Sequence, residues 1–485
     1  MPPKDDDHDC GWRVYARELE GKVDTQRTDL DKLKNELAEM KRLLFGPKSE
    51  KMPTVDKELR KGKPSRRNGP GAQRKRRNNA ESKKQLETEV VEHTVADDHC
   101  CAACGGSRDG LETIGHKESN EYVYVQGHFR RKLHRRQTLR CTCGEYIVTA
   151  PPPERMSDKT SYGPSFVAHL ITSKCADSHP FYRMEKHYKR AGVPIARSTM
   201  VNLFHRAGEI LTPLAQRILA IIAQADVVLA DETSIRVQGR KKRGYIWTFI
   251  ADDLIAYRFS PDRSGETPSQ VLGGTQGTLV VDGYTGYNQV TKVDGRIRAG
   301  CLAHARRKFF NALETAPDEA KHALDCVLDV YRVEYEARER GILGTPEHLA
   351  MRQSKTRAIM NDLDTWLVEQ QTLHPPKSPI GRAISYARNN WTELTRFLAD
   401  IKVPPDNNAS ERALRVVALG RKNFLNVGHD EAGNNTAVLY TLTASCEAAG
   451  VNPLDYLADV LLRVQTHPAA DIDDLLPHRW AASRG

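Results

Sequence analysis

The chain has 485 residues, 28% of them charged, and a formal net charge of +10. That length allows about two to four domains, and an excess of Lys and Arg suits a polyanionic partner, because each neutralised phosphate releases a counterion. Met1 to Asp9 is polar and acidic rather than a secretory signal, and the most apolar stretch, Ile218 to Ala230, is interrupted by Gln224 and Asp226 and is too short to span a bilayer.

Residues 13–46 read as a coiled-coil helix. Ala16, Val23, Leu30, Leu37 and Leu44 recur every seven residues, and Leu19, Leu33 and Met40 fill the d positions, with Gln26 the polar exception. Such a seam pairs two helices and predicts a homo-oligomer; the alternative is one amphipathic helix packed on its own domain. Pro47 ends it. Residues 47–89 are a basic linker with Arg66-Arg67 and Arg74-Lys75-Arg76-Arg77 among Asn, Ser and Gly. It cannot bury a core, so it is expected to be disordered, either as a tether or trailing along DNA phosphate.

Residues 90–150 form a small cysteine-bearing module. Five of the ten cysteines lie between Cys100 and Cys143. In the expected cytoplasmic setting, that crowding points to metal rather than disulfides. Short strands are expected at Tyr122–Val125 and Phe129–Leu133, and Arg130, Arg131, Lys132, Arg135, Arg136 and Arg140 make the module basic. Residues 160–225 are helical, with a break at Gly192-Val193-Pro194 and a restart capped by Ser198 or Thr199. This suits a helix-turn-helix DNA reader or a plain helical connector.

Strands follow at Val227–Leu229, Tyr245–Ile250, Ile255–Phe259 and Thr278–Val281, with Asp252-Asp253 as a hairpin turn. After Gly300 the apolar spacing is helical, through Leu324, Val327, Leu328 and Tyr331, then Met360, Leu363 and Leu367, then Ile384 and Ala387. A last helix is expected at Asn452-Pro453, an N-cap followed by proline.

Three acids stand out. Asp231 ends the apolar run from Val227, Asp282 ends the run from Leu279, and Glu411 opens a helix. Two-metal phosphodiester chemistry needs carboxylates on rigid elements, with the ions about 3.5–4 Å apart, and Mg²⁺ takes oxygen ligands. Plainer readings exist for each acid. A strand-end Asp is often a turn former, and Asn408 to Glu411 fits a capping box with Asn408 at the N-cap.

Several longer stretches carry a resemblance. Leu-Ala-Asp-Glu-Thr at 229–233, Val-Asp-Gly-Tyr-Thr-Gly-Tyr-Asn at 281–288, Cys-Leu-Ala-His-Ala-Arg-Arg-Lys-Phe at 301–309 and Asp-Asn-Asn-Ala-Ser-Glu-Arg-Ala-Leu-Arg at 406–415 resemble the insertion-sequence-66 family of DDE transposases. So do Gly-Arg-Lys-Asn-Phe at 420–424, Leu-Leu-Pro at 475–477 and the junction from Leu43 to Lys51, in the expected order along nearly the whole chain. The resemblance implies a multidomain α+β protein, with an RNase H-like catalytic domain over 226–425, a helical insertion over about 310–400 and a C-terminal helical element over 426–485.

Asp231, Asp282 and Glu411 would be the metal-binding triad, using Mg²⁺ or Mn²⁺ to cut and join double-stranded DNA at the ends of a mobile element. Arg412, Arg415, Arg421 and Lys422 would position phosphates, or would form a solvated helix face. Cys101, Cys104, Cys141 and Cys143 would hold a structural zinc. Here the sequence departs from the family, because one residue separates Cys141 from Cys143 where two are usual. Cys100, His99 and His134 remain alternative ligands. The resemblance further implies a bacterial, nucleoid-associated protein that works with small helper proteins.

Overall fold

The computed structural model describes residues 160–292 and 295–483 without a break, together with 127–140, 147–156, 55–59 and positions 16–23, 25, 26, 30 and 33. Residues 60–131 form a unit of their own, of which 127–131 are described. The four expected zinc cysteines, with Cys100 and His99, lie outside the described residues, as do Tyr122–Val125 and the basic linker apart from residues 55–59, which are helical where disorder was expected. The structure is mixed α/β. No helix among the described residues is long and apolar enough to cross a membrane.

The described elements begin with α1 (Val55–Leu59) and a two-stranded ladder of β1 (Thr138–Arg140) and β2 (Ile147–Thr149), where the Thr138 and Thr149 hydroxyls meet at 2.9 Å. Three helices follow: α2 (Pro164–Cys175), α3 (Phe181–Arg190) and α4 (Arg197–Gln224). The helical restart comes earlier than expected. Ala196 is the N-cap of α4 and makes no side-chain cap, so Ser198 and Thr199 fall inside the first turn.

The central sheet is built from β3 (Val227–Val237), β4 (Gly244–Ala251), β5 (Leu254–Ser260), β6 (Thr278–Val280), β7 (Ile297–Ala299) and β8 (Asn426–Val427). Its order is β5-β4-β3-β6-β7, with β8 beside the far end of β3. The β3–β4–β5 meander is antiparallel, while β6 and β7 run parallel to β3. Between β5 and β6 lies α5 (Glu266–Leu272). The β4–β5 hairpin turns at Asp252, whose φ of 50° is one of the left-handed values that Asp tolerates. Neither β7 nor β8 was expected from sequence. Each is short, and its partner lies elsewhere in the chain.

Between β7 and the next core element lie the helices α6 (Leu302–Phe310), α7 (Pro317–Glu339), α8 (Pro346–Met351), α9 (Arg357–Leu373) and α10 (Pro379–Asn389). A short α11 (Trp391–Leu394) closes them back onto β7. They bury a core of their own around Phe309, Ala320, Leu363, Leu367 and Ile384, and a second cluster joins Met360 and Phe397 to Val280 of the sheet. Arg352 clamps this bundle. It is 3% exposed, forks onto Glu334 at 2.8 and 2.9 Å, and donates to the carbonyls of Phe397 and Val403 at 3.0 and 2.9 Å.

After the insertion come α12 (Asn408–Phe424), α13 (Asp430–Ala448), α14 (Pro453–Arg463) and α15 (Pro477–Ala482). Asn452 caps α14 as expected, accepting from Leu454 N–H at 3.0 Å, although α15 rather than α14 is the last helix. The free edge of β5 would be a template for another strand, and α13 covers it with hydroxyls. Thr441 accepts from Tyr257 N–H at 2.9 Å; Ser445 accepts from Ile255 N–H at 3.2 Å and donates to Ile255 C=O at 2.9 Å. Close approach needs glycine. A Cβ on Gly433 would sit 2.5 Å from the Phe259 ring, and one on Gly208 of α4 would sit 2.8 Å from Asn435. Thus α13, which begins after the expected end of the catalytic domain at 425, packs directly on the sheet and on α4.

Candidate active site

Register brings the two aspartates together. In the parallel pairing of β3 and β6, Leu229 lies opposite Val280. Asp231, two residues further along β3, and Asp282, two residues beyond the end of β6, therefore lie toward the same end of this strand pair. Asp231 does not end its strand, as the apolar run suggested. β3 continues to Val237, because β4 pairs with it from Leu229 through Ile235. Asp282 does leave its strand, and its Oδ1 accepts from Tyr284 N–H at 2.9 Å in a turn that fixes the loop.

Glu411 arrives on α12. The capping box expected around it is displaced by one residue: the N-cap is Asn407, with no side-chain cap, and Glu411 is the fourth helical residue. Asn408 instead turns back to Asp406, its N–H and amide donating at 3.0 and 2.7 Å, while the Tyr331 hydroxyl donates to the same carboxylate at 2.6 Å. Asn407 is 1% exposed and donates to the carbonyl of Ala230 at 2.7 Å. That bond ties the start of α12 to the residue before Asp231. The Glu411 carboxylate then faces His304 Nε2 and Arg307 Nη2 of α6, each at 3.7 Å.

The three acids share one electrostatic neighbourhood. Burial first, then the charges of Glu232, Asp282 and Glu411, push the Asp231 carboxyl up to about 7, against the opposing hydrogen bond from Glu232 N–H. Burial lowers the basicity of His304, while the fields of Asp282 and Glu411 act on it in the opposite direction. Among the described residues, no group of three or more His, Cys, Asp or Glu side chains is gathered closely enough to hold a metal ion. The convergence expected of the triad is therefore electrostatic here rather than at metal-bridging distance, with Glu411 turned toward His304 and Arg307. The donor set nevertheless fits a hard divalent cation, since it consists of carboxylate oxygens whose mutual repulsion such an ion would relieve.

Several residues at the site were not singled out from sequence, although Glu232, Tyr284 and Tyr287 lie inside the motifs. Glu232 has a side chain only 1% exposed; it accepts from Tyr287 Oη at 2.8 Å and from Arg263 Nε at 2.7 Å. Arg263 in turn lies over the Tyr284 ring, 4.1 Å from its centroid. Arg298 of β7 braces the Asp282 loop through the carbonyls of Asp282 and Tyr284. From the insertion, Tyr386 lies against Gly283, where an added Cβ would come within 2.9 Å of its ring. Adjacency to the acids was the sequence signal for Glu232, Tyr284 and Tyr287; Arg263, Arg298 and Tyr386 carried no such signal.

The expected basic residues divide. Arg412, Arg415 and Lys422 are exposed on α12, whereas Arg421 turns inward and donates to Thr233 Oγ1 at 3.2 Å and to the Ser234 carbonyl. Arg130, Arg131, Lys132, Arg135 and Arg136 are exposed; Arg136 reaches the Ala150 carbonyl at 2.6 Å, and Arg130 reaches His128 at 3.0 Å. His134, an alternative zinc ligand, is exposed too.

Comparison with known proteins agrees with this architecture. Residues 159–435 match the model of the transposase IS66 family, and residues 441–478 match the IS66 C-terminal element. Two uncharacterized proteins of Sinorhizobium fredii (strain NBRC 101917 / NGR234), y4hP and y4jD, are each 31% identical to this chain. The y4hP match covers 78% of this chain and 73% of that protein; for y4jD the shares are 79% and 78%. The sheet, the acids on β3, after β6 and on α12, and the helix α14 all fall within the family matches, and the chain belongs to the IS66 family of transposases.

Proposed function

We propose that the chain is an RNase H-like DDE transposase that binds double-stranded DNA at the ends of a mobile element and catalyses strand cleavage and strand transfer. The observation that carries this reading is the shared field of Asp231, Asp282 and Glu411, supplied by two neighbouring strands and a helix tied to the first of them. Asp231, Asp282 and Glu411 would hold Mg²⁺ or Mn²⁺, which when bound supplies Lewis acidity and charge neutralisation at the scissile phosphate. The protein's own contribution is position. β3 and β6 fix the two aspartates by register, Asn407 fixes the start of α12, and Glu232 with Tyr287 and Arg298 holds the loop of Asp282. Arg307 places positive charge beside Glu411, and His304 an imidazole whose basicity burial lowers.

The same reading extends to the rest of the chain. Residues 13–46 would pair two copies, Cys101, Cys104, Cys141 and Cys143 would hold a structural zinc, and the exposed arginines of 130–136 would meet DNA. The protein would act in the bacterial cytoplasm, on the nucleoid. Asp231→Asn, Asp282→Asn and Glu411→Gln each keep the side-chain shape and remove one charge. Cleavage of element ends with Mg²⁺ should collapse in all three, because the acids act as a unit, while DNA binding, carried mainly by Lys and Arg, should survive. Near-normal cleavage by Glu411→Gln would remove it from the triad; near-normal cleavage by all three would end the reading.

A further inference from the structure

Beyond the three acids, β3 borders a pocket of about 380 Å³ lined by Ser234, Arg236, Arg243, Arg421 and Leu425. Three of the five lining residues are arginines and none is acidic. The arginines converge from different parts of the chain: Arg236 from β3, Arg243 from just before β4, and Arg421 from the last turn of α12. Ser234 organises them, its hydroxyl accepting from Arg243 at 3.2 Å and from Arg421 at 3.4 Å. Arg421 also donates to the Ser234 carbonyl, so it is anchored to the strand as well as facing the pocket. Arg236 and Arg243 are exposed. Leu425, at the rim, is 64% exposed and has a φ of 63°, an uncommon conformation for a bulky residue. Such outliers persist where the surrounding structure imposes them, often at ligand clamps.

We propose that this pocket seats a backbone phosphate of the DNA, with Leu425 against the adjoining sugar. The inference rests on the transposase reading above. Guanidinium groups match phosphate oxygens in a planar fork and stay charged at any working pH. A strand rises about 3.3 Å per residue, so Ser234 and Arg236 lie roughly 10 and 17 Å along β3 from Asp231. On a duplex that offset is about three to five nucleotides, since each strand carries one charge per roughly 3.4 Å of axis. The pocket would therefore hold the strand a short distance from the bond being cut, fixing its register on the acids without reading its sequence.

The test is equilibrium binding of the full-length chain to a mixed-sequence DNA duplex, with chelator present so that no cleavage occurs, over a range of salt concentrations. Arg236→Ala with Arg243→Ala should reduce the slope of log affinity against log salt by about 0.9, the loss of one phosphate contact, and should weaken binding roughly 5-fold at about 0.15 M salt. Replacing both with Lys should restore most of the slope, which loss of a merely structural contact would not do. Leu425→Gly should weaken binding and leave the slope unchanged. An unchanged slope in the folded double-alanine variant overturns the phosphate site, and unchanged affinity in Leu425→Gly removes the leucine from it. Neither result bears on the triad, whose failure would appear as cleavage by the amide variants.

Discussion

The Tyr287 hydroxyl donates to the buried Glu232 carboxylate at 2.8 Å, joining the residue after Asp231 to the loop after Asp282, 55 positions apart in sequence. Tyr287 is wholly buried. Tyr287→Phe keeps the ring and removes the donor. Losing a hydrogen bond to a charged group should cost about 1.5–3 kcal/mol of stability, read from urea denaturation. The loop of Asp282 should loosen with it, so cleavage should slow as well. Wild-type stability and wild-type cleavage together would show that the bond positions nothing.

Arg352 carries the insertion. Its guanidinium holds Glu334 while donating to carbonyls from the segment that leads toward α12. Arg352→Met leaves that glutamate buried beside His348 without its fork partner. The expected cost is about 3–5 kcal/mol. Arg352→Lys should recover only a little, since an ammonium cannot reproduce the fork. A second change, Glu334→Leu, should recover more. A calorimetric melting point for Arg352→Met within error of wild type would contradict this account.

Lys174 is 8% exposed, with its Nζ 3.6 Å from the centre of the Phe424 ring and 4.4 Å from that of Phe181. Burial pulls its amine down from 10.5 to about 8. Between those values the unfolded chain binds more protons than the folded one, so stability rises with pH across that window, and the cost of the buried charge is fully present below it. The shift corresponds to about 3 kcal/mol, offset by cation–π attraction worth about 2 kcal/mol when desolvated. Lys174→Met should therefore be at least as stable as wild type at pH 7. The advantage should vanish or reverse as pH rises from about 8 toward 10.5. Denaturation curves at the two ends of that window decide it; a stability difference independent of pH would mean the amine does not titrate there.

At the heptad positions that are described, Leu19, Val23, Leu30 and Leu33 are helical and 42%, 58%, 52% and 65% exposed in the single chain. A contiguous apolar seam of that kind is normally covered, and a second copy of the same helix fits it. Deleting residues 1–50 should reduce the mass seen by light scattering to that of a monomer. An oligomer that survives the deletion would place the interface elsewhere.

The sequence by itself determined the local elements and the family. β-rich runs bounded by turn residues located β4, β5 and β6, the Asp252 turn joined the first two of these, and Asn452-Pro453 started α14, because each signal is contained within a few neighbouring residues. The motifs around the acids were equally legible. Tertiary structure decided what those residues meet. β3 runs past Asp231 because a partner strand continues beside it, and the Glu411 helix starts one residue earlier because Asn407 is held by Ala230, 177 positions away. The arginine pocket depends on Arg421 reaching Ser234 across 187 positions. Contacts over such separations leave no periodicity to read, since the geometry exists only once the sheet has paired and α12 and α13 have closed over it.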